Sequence, residues 1–331
     1  MPQTPPLLEI EDLVVEVPSA AGPLTIVDTV SLTLHRGRTL GLVGESGSGK
    51  SITANAVLGL IGSARIASGD IRLEGQSLRA MSERQMRDVR GNRIAMVFQE
   101  PMTALDPNYT VGEQIAETVR RHTGMNRRDA WARAVEVLDQ VHIPSPQLRA
   151  RDHPHKFSGG MRQRVVIAMA IACSPDVLLA DEPTTALDVT TQAQVLALLQ
   201  EISESQGVTT LFISHDLGVI AQICDEVAVM YAGQVVEHAE AVELFANPRH
   251  PYTRALMDCI PNGPGDRLVD IPGTVPEFRA LPHGCRFAAR CSFATEECDA
   301  APVPLTIESP GHGARCIFPE RIDNAHSHQP A

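Results

Sequence analysis

Residues Gly44-Glu45-Ser46-Gly47-Ser48-Gly49-Lys50-Ser51 place a glycine-rich turn between the apolar run Thr39 to Val43 and a stretch, Ile52 to Leu60, with the composition of a packed helix. The pattern is Gly, four residues, then Gly-Lys-Ser. Strand, glycine loop and helix in that order form a cradle for oxyanions. Glycines let backbone N–H groups close around oxygen atoms, and the helix N-terminus adds its partial positive charge. In such a cradle Lys50 would reach the terminal phosphates of a nucleotide and Ser51 would ligate Mg²⁺. A chance match in a glycine-rich turn is the competing reading. The flanks agree as well as the eight residues do, so the stretch is read as a nucleoside triphosphate site.

At 331 residues the chain has room for one large domain, or a domain with an appendage, and a full core. Its formal net charge of −12 argues against general nucleic-acid binding, which asks for a basic surface. Only two lysines, Lys50 and Lys156, accompany 26 arginines, and one of the two sits in the cradle as a compact point charge. Met1 to Pro6 carries no basic region followed by an apolar run, and no apolar stretch approaches the roughly 20 residues that span a bilayer. A cytoplasmic chain is expected, with its seven cysteines as thiols or metal ligands rather than disulfides.

Residues 7–34 read as β structure interrupted by Pro18 and Gly22-Pro23. Further strands are expected at Gly69 to Leu73, Arg93 to Phe98, Val177 to Ala180, Val208 to Ile213 and Glu226 to Tyr231. From about 111 to 143 the pattern turns helical, with Val111, Ile115 and Val119 on one face. Arg120, Arg121, Arg127, Arg128 and Arg133 make that stretch locally basic; a solvated face is favoured over contact with a membrane-side partner. Met161 to Cys173 is predicted as a buried helix, and Val195, Leu198, Leu199 and Ile202 mark the apolar stripe of another. Alternating strands and helices point to an α/β fold with its chemistry at the carboxyl ends of the strands.

Asp181 and Glu182 close the continuous apolar run at Val177 to Ala180, as expected of a central parallel strand. One carboxylate can hold Mg²⁺, and its neighbour can orient and deprotonate a water. Two acids after a strand are common as solvated residues; downstream of a cradle and before Pro183 they signal chemistry. Phe157-Ser158-Gly159-Gly160-Met161-Arg162-Gln163 offers a second anion-binding turn at a helix start. An ordinary helix cap is the plain alternative. A second anion site makes sense if it serves a nucleotide held by another subunit.

With these motifs together, the chain resembles the nucleotide-binding subunits of ABC transporters. The cradle is similar to their Walker A, Phe98-Gln99 to the Q-loop, Ser158 to Gln163 to the signature and Val177 to Glu182 to Walker B. Ala186-Leu187-Asp188 resembles the D-loop and Ser214-His215-Asp216 the switch histidine. Met161, the wording Ala180 to Asp188, and Asn247 to Leu256 narrow the resemblance to the dipeptide/oligopeptide permease branch. That resemblance implies an ABC-type P-loop ATPase domain over residues 1–250, made of an N-terminal β subdomain, a RecA-like core and a helical insertion at about 100–160. A loop-rich C-terminal extension follows over 251–331.

The resemblance also implies roles. Gly44 to Ser51 would bind ATP; Ser51, Gln99 and Asp181 would hold Mg²⁺; and Glu182, His215 and Gln99 would act in hydrolysis. Ser158, Gly159, Gly160 and Asp188 would complete the site of a second ABC ATPase subunit, with a paralogue favoured. Two membrane permease subunits and an extracytoplasmic peptide-binding protein are the further implied partners, with no nucleic acid. The chain would lie peripherally on the cytoplasmic face of the inner membrane. One departure concerns Val17, which stands where the family places an aromatic against adenine. No Tyr or Phe precedes Phe98, so weak base discrimination is expected.

Residues 261–310 hold eight of the 24 prolines, and Cys285, Cys291, Cys298 and Cys316 are separated by five, six and seventeen residues. Zinc sites prefer closer pairs. Four thiolates in a loop-rich tail suit a 4Fe-4S cluster, and the resemblance implies one; zinc and free thiols remain open. His283 and His312 are read as surface residues, and Cys173, Cys224 and Cys259 as buried small hydrophobes. Peptide import is the leading function. The alternatives are import of nickel or another small solute, and a soluble ABC ATPase outside transport. The second usually carries two cradles in one chain or long coiled-coil insertions, and this sequence has neither.

Overall fold

A computed structural model describes residues 5–99, 104–185, 187–260, 270–309 and 311–320. Ala186 of the D-loop resemblance lies outside these residues, as do the eleven at the C-terminus. Among the described residues the strands are β1 (Pro6–Val17), β2 (Leu24–His35), β3 (Thr39–Val43), β4 (Arg65–Leu73), β5 (Gln76–Ser77) and β6 (Ile94–Val97). They continue with β7 (Val177–Asp181), β8 (Thr209–Ser214), β9 (Glu226–Tyr231), β10 (Gln234–Glu240), β11 (Thr306–Ser309) and β12 (His312–Ala314). The chain divides into two compact units that interleave along the sequence.

One unit comprises Met1–Leu7, Leu34–Arg38 and Ala80–Phe212. Its strands run in the order β8, β7, β6, with β6 and β7 parallel and Ile94 opposite Val177. Every residue of β6 and β7 is buried, as their unbroken apolar sequence demands. Arg93 pairs with Asp176 just before these strands.

The helix Val111–Thr123 begins with a reciprocal cap between Thr110 and Glu113, and buries Val111, Ile115, Ala116 and Val119. Asn126 caps the next helix, Arg127–Gln140, which buries Ala130, Ala134, Val137 and Leu138. Arg120, Arg121, Arg127 and Arg128 are exposed. Arg133 instead folds back to the carbonyl of Ala172 and the hydroxyl of Ser174. The helix predicted from Met161 starts two residues earlier, at Gly159, and ends at Ile171.

The other unit comprises Leu8–Thr33, Thr39–Arg79 and Ile213–Ala331. It contains an antiparallel sheet ordered β2, β1, β4, β5, in which Leu8 faces Leu73 and Ile10 faces Ile71. Its second set of strands runs β11, β12, β10, β9, β3, with β3 and β9 parallel. The C-terminal extension thus contributes strands of its own: β12 pairs with β10, Gly313 opposite His238 and Ala314 opposite Glu237. Of the three cysteines expected to be buried, Cys224 is, whereas Cys173 and Cys259 are only half-buried. Cys173 sits within reach of the Thr118 carbonyl and Cys259 of the Ala255 carbonyl, each at the end of a helix rather than in a core.

Candidate nucleotide site

Strand β3 is buried along its whole length and delivers the chain into the glycine loop. At Gly44 an added Cβ would stand 2.0 Å from the carbonyl oxygen of Met230, so only glycine lets the backbone pass. The helix Lys50–Val57 starts directly after Gly49, which is left-handed at φ 107°. Lys50 is 4% exposed, and its ammonium donates to the carbonyls of Gly44 at 2.7 Å and Glu45 at 3.1 Å. The loop is thereby wrapped around its own cation. Ser48 lies in the same wall with a buried hydroxyl that has no hydrogen-bond partner. A buried orphan hydroxyl costs about 1–3 kcal/mol. Together with a cradle that a Cβ would fill, it fits a site built for phosphate oxygens.

The same loop is held from behind by residues that the sequence reading did not single out. The Glu45 N–H donates to the Tyr252 hydroxyl at 2.9 Å. The Glu45 carboxylate accepts two bonds from the Arg290 guanidinium, at 2.7 and 3.0 Å. Tyr231, Tyr252 and Phe287 form a ring cluster with centroids 4.6 to 5.3 Å apart, and the Arg290 guanidinium lies over two of the rings. Burial pushes the Tyr252 and Tyr231 hydroxyls above the ordinary tyrosine range, which keeps both protonated. The low aromatic content was the available signal: two of only three tyrosines meet here.

Also in this unit, His215 is exposed at the residue after β8. The residues on either side of it are bonded. The Asp216 N–H donates to the Ser214 hydroxyl, and the Asp216 carboxylate caps the helix Leu217–Ile223.

The other unit brings together two of the residues assigned to hydrolysis. Asp181 ends β7 and is buried. Glu182 turns the chain with φ 45°, a costly left-handed conformation for a residue with a side chain. Its carboxylate accepts from Gln99 Nε2 at 3.2 Å and from Thr185 Oγ1 at 2.8 Å. Ser158 caps the helix Gly159–Ile171 by accepting from the Met161 N–H at 3.4 Å. Asp188 caps the helix Val189–Gln206 and also accepts from the Thr191 hydroxyl. Bonds from the Thr191 backbone and hydroxyl hold the Asp188 carboxyl below its ordinary range. Gly160 is packed onto this threonine so closely that a Cβ would meet its methyl at 2.4 Å. The signature-like turn and the D-loop-like residues are therefore adjacent.

In the extension, Cys285, Cys291, Cys298 and Cys316 line one apolar cavity of about 20 Å³ beside Phe287 and Phe318. Burial pushes the Cys285 and Cys291 thiols up, and that of Cys316 to about 12. Among the described residues no three His, Cys, Asp or Glu side chains are close enough to share one metal ion. The expectation for His312 is corrected. It is 1% exposed and its Nε2 lies 2.8 Å from the carboxylate of Glu237, which is fully buried. Glu237 also accepts from the N–H groups of Arg249 and His250, so one carboxylate ties β10 to the tail motif and to β12. His283 is exposed, as expected.

Comparison with known proteins agrees with this geometry. Residues 27–185 match the family model "ABC transporter", and residues 236–298 match "Oligopeptide/dipeptide transporter, C-terminal region". A solved dimeric ATP-binding cassette, MJ0796 bound to ADP and Pi, has TM-score 0.64 and 25% identity, covering 71% of this chain and 99% of that one. Fold and site thus define an ABC-type ATP-binding subunit. A probable peptide ABC transporter ATP-binding protein of Sinorhizobium fredii is 48% identical over 98% of each chain. The oligopeptide transport ATP-binding protein OppD of Salmonella typhimurium is 45% identical over 95% of this chain and 94% of its own. The dipeptide transport ATP-binding protein DppD of Escherichia coli is 44% identical over 96% and 98%. The chain belongs to the family of ATP-binding proteins of peptide ABC transporters.

Proposed function

We propose that this chain hydrolyses ATP to drive import of di- or oligopeptides through a membrane permease. The observation that carries this reading is the match of residues 236–298 to the oligopeptide/dipeptide transporter C-terminal region, within near-full-length similarity to peptide import subunits. Gly44 to Ser51 bind the triphosphate, with Lys50 moving from loop carbonyls to phosphate oxygens and the Ser48 hydroxyl gaining a partner. Ser51, Gln99 and Asp181 are assigned to Mg²⁺. Glu182 is assigned as the general base, and Gln99 and His215 are assigned to the γ-phosphate and the attacking water.

Ser158, Gly159, Gly160 and Asp188 act on the nucleotide of a second ATPase subunit, for which a paralogue is favoured. Two permease subunits and an extracytoplasmic binding protein complete the assembly, with this chain peripheral on the cytoplasmic face of the membrane. Among the described residues no helix is long and apolar enough to cross a bilayer. Residues 1–250 carry the ATPase and 251–331 form the peptide-importer extension. Purifying a Glu182→Gln variant with its membrane complex tests the assembly. Permease subunits and a second ATPase should copurify in an ATP-trapped state, and recovery of the chain with none of them would refute the reading.

The extension is proposed to hold a 4Fe-4S cluster on Cys285, Cys291, Cys298 and Cys316. Support comes from the four thiols lining one apolar cavity. The group would stabilise the loops that carry it. An anaerobic preparation should contain about four irons per chain and absorb in the thiolate-to-iron region. Iron-free protein with four titratable thiols would remove the assignment.

A further inference from the structure

The phosphate loop contains one acidic side chain, and an acid there faces a chemical conflict. A triphosphate bound by this loop brings several negative charges close to the Glu45 carboxylate. In this structure that carboxylate is engaged by Arg290 from the C-terminal extension, 245 residues away in sequence, through two bonds of 2.7 and 3.0 Å. The guanidinium side chain is only 4% exposed. Its remaining donors go to the Tyr231 hydroxyl and to the carbonyls of Ile271 and Pro272, and its plane lies near the rings of Tyr231 and Phe287. Such a fork is fixed at both ends, unlike a surface ion pair. Tyr252, from the helix Pro251–Asp258, fixes the backbone of the same residue. Loop charge and loop conformation are thus both set by residues beyond 250.

We propose that Arg290 is a positioning residue for the nucleotide: it neutralises and anchors the Glu45 carboxylate, so that the C-terminal extension sets the affinity of the phosphate loop for ATP. The role rests on Gly44 to Ser51 being the nucleotide site. Arg290 does not touch the nucleotide; it acts through Glu45. A role confined to packing would follow the loss of the side chain alone, whereas this role follows the charge left unpaired on Glu45.

The test measures equilibrium binding of MgATP and MgADP to the full-length chain, with thermal unfolding as the control for folding. Arg290→Ala should weaken MgATP binding at least about tenfold, because it leaves a half-buried carboxylate without its cation. MgADP, which carries less charge, should be affected less. Adding Glu45→Gln to Arg290→Ala should bring MgATP affinity back to within about threefold of the starting protein. In the assembled transporter the single variant should raise KM for ATP more than it lowers kcat. Unchanged MgATP affinity in the single variant would overturn the proposal. So would a double variant as weak as the single, which would show that packing alone is at work. Arg290→Gln carries the same comparison should the alanine variant unfold. Lys50→Ala is the separate control for the site: loss of binding there locates the nucleotide, and undiminished binding removes the site and this role together.

Discussion

The phosphate loop and the hydrolytic segment after β7 are built in opposite ways. The loop is tied at several points: Lys50, buried, to the loop's own carbonyls, Glu45 to Arg290, and the Glu45 backbone to Tyr252. Glu182, by contrast, sits on a left-handed turn, held by single bonds from the exposed Gln99 and from Thr185. Nucleotide affinity therefore rests on a frame tied to the C-terminal extension, while turnover rests on Glu182 and the side chains that bond its carboxylate. Binding and hydrolysis should accordingly be separable by mutation.

The largest expected effect breaks the two apart. Glu182→Gln should lower ATP turnover by about 10²–10⁴, the usual contribution of a general base, and leave MgATP binding to the isolated chain within about twofold. Parallel ATPase and binding assays check it; equal losses in both would show that the two regions are not independent.

The next effect sharpens the comparison from the frame's side. Burial lowers the pKa of His250 to about 4, opposed by the nearby Glu237 carboxylate and helped by the positive charge of Arg315. The unfolded chain takes up this proton near pH 6.5 and the folded one only near pH 4. Stability therefore falls as pH drops through that window, by about 3 kcal/mol for this group. Urea unfolding at pH 7 and at pH 4.5 should show the loss, and His250→Asn should flatten it. The smallest effect concerns the base rather than the phosphates. Val17 borders a shallow hollow with Glu16, Pro18 and Arg65. Val17→Tyr should strengthen ATP binding by up to about tenfold and raise its preference over GTP, read from paired binding curves.

What the sequence revealed was local. The strands of the core are continuous apolar runs, and β9 runs from Glu226 to Tyr231 as expected. The glycine loop, the acid pair and the Ser-Gly-Gly turn are each legible because their chemistry is carried by adjacent residues. What stayed hidden was long-range pairing of charges. Nothing in spacing joins Glu45 to Arg290. Nothing in the polarity of His312 says that a buried Glu237 awaits it, so a histidine in a loop-rich tail reads as a surface residue. The helix begins at Gly159, two residues before the expected Met161, because Ser158 can cap only a helix that starts immediately after it.

The pairing of β12 with β10 has a consequence for anyone shortening this protein. A chain cut after Asp258 would lose the strand that covers one edge of β10, together with the imidazole beside Glu237. It would present bare amide and carbonyl groups in a row, next to an interior carboxylate that has lost its imidazole partner, and bare edges invite other molecules to zip on. The expected product is a self-associating fragment rather than a minimal cassette: the tail here is a seam that closes the fabric, and unpicking it leaves a raw hem.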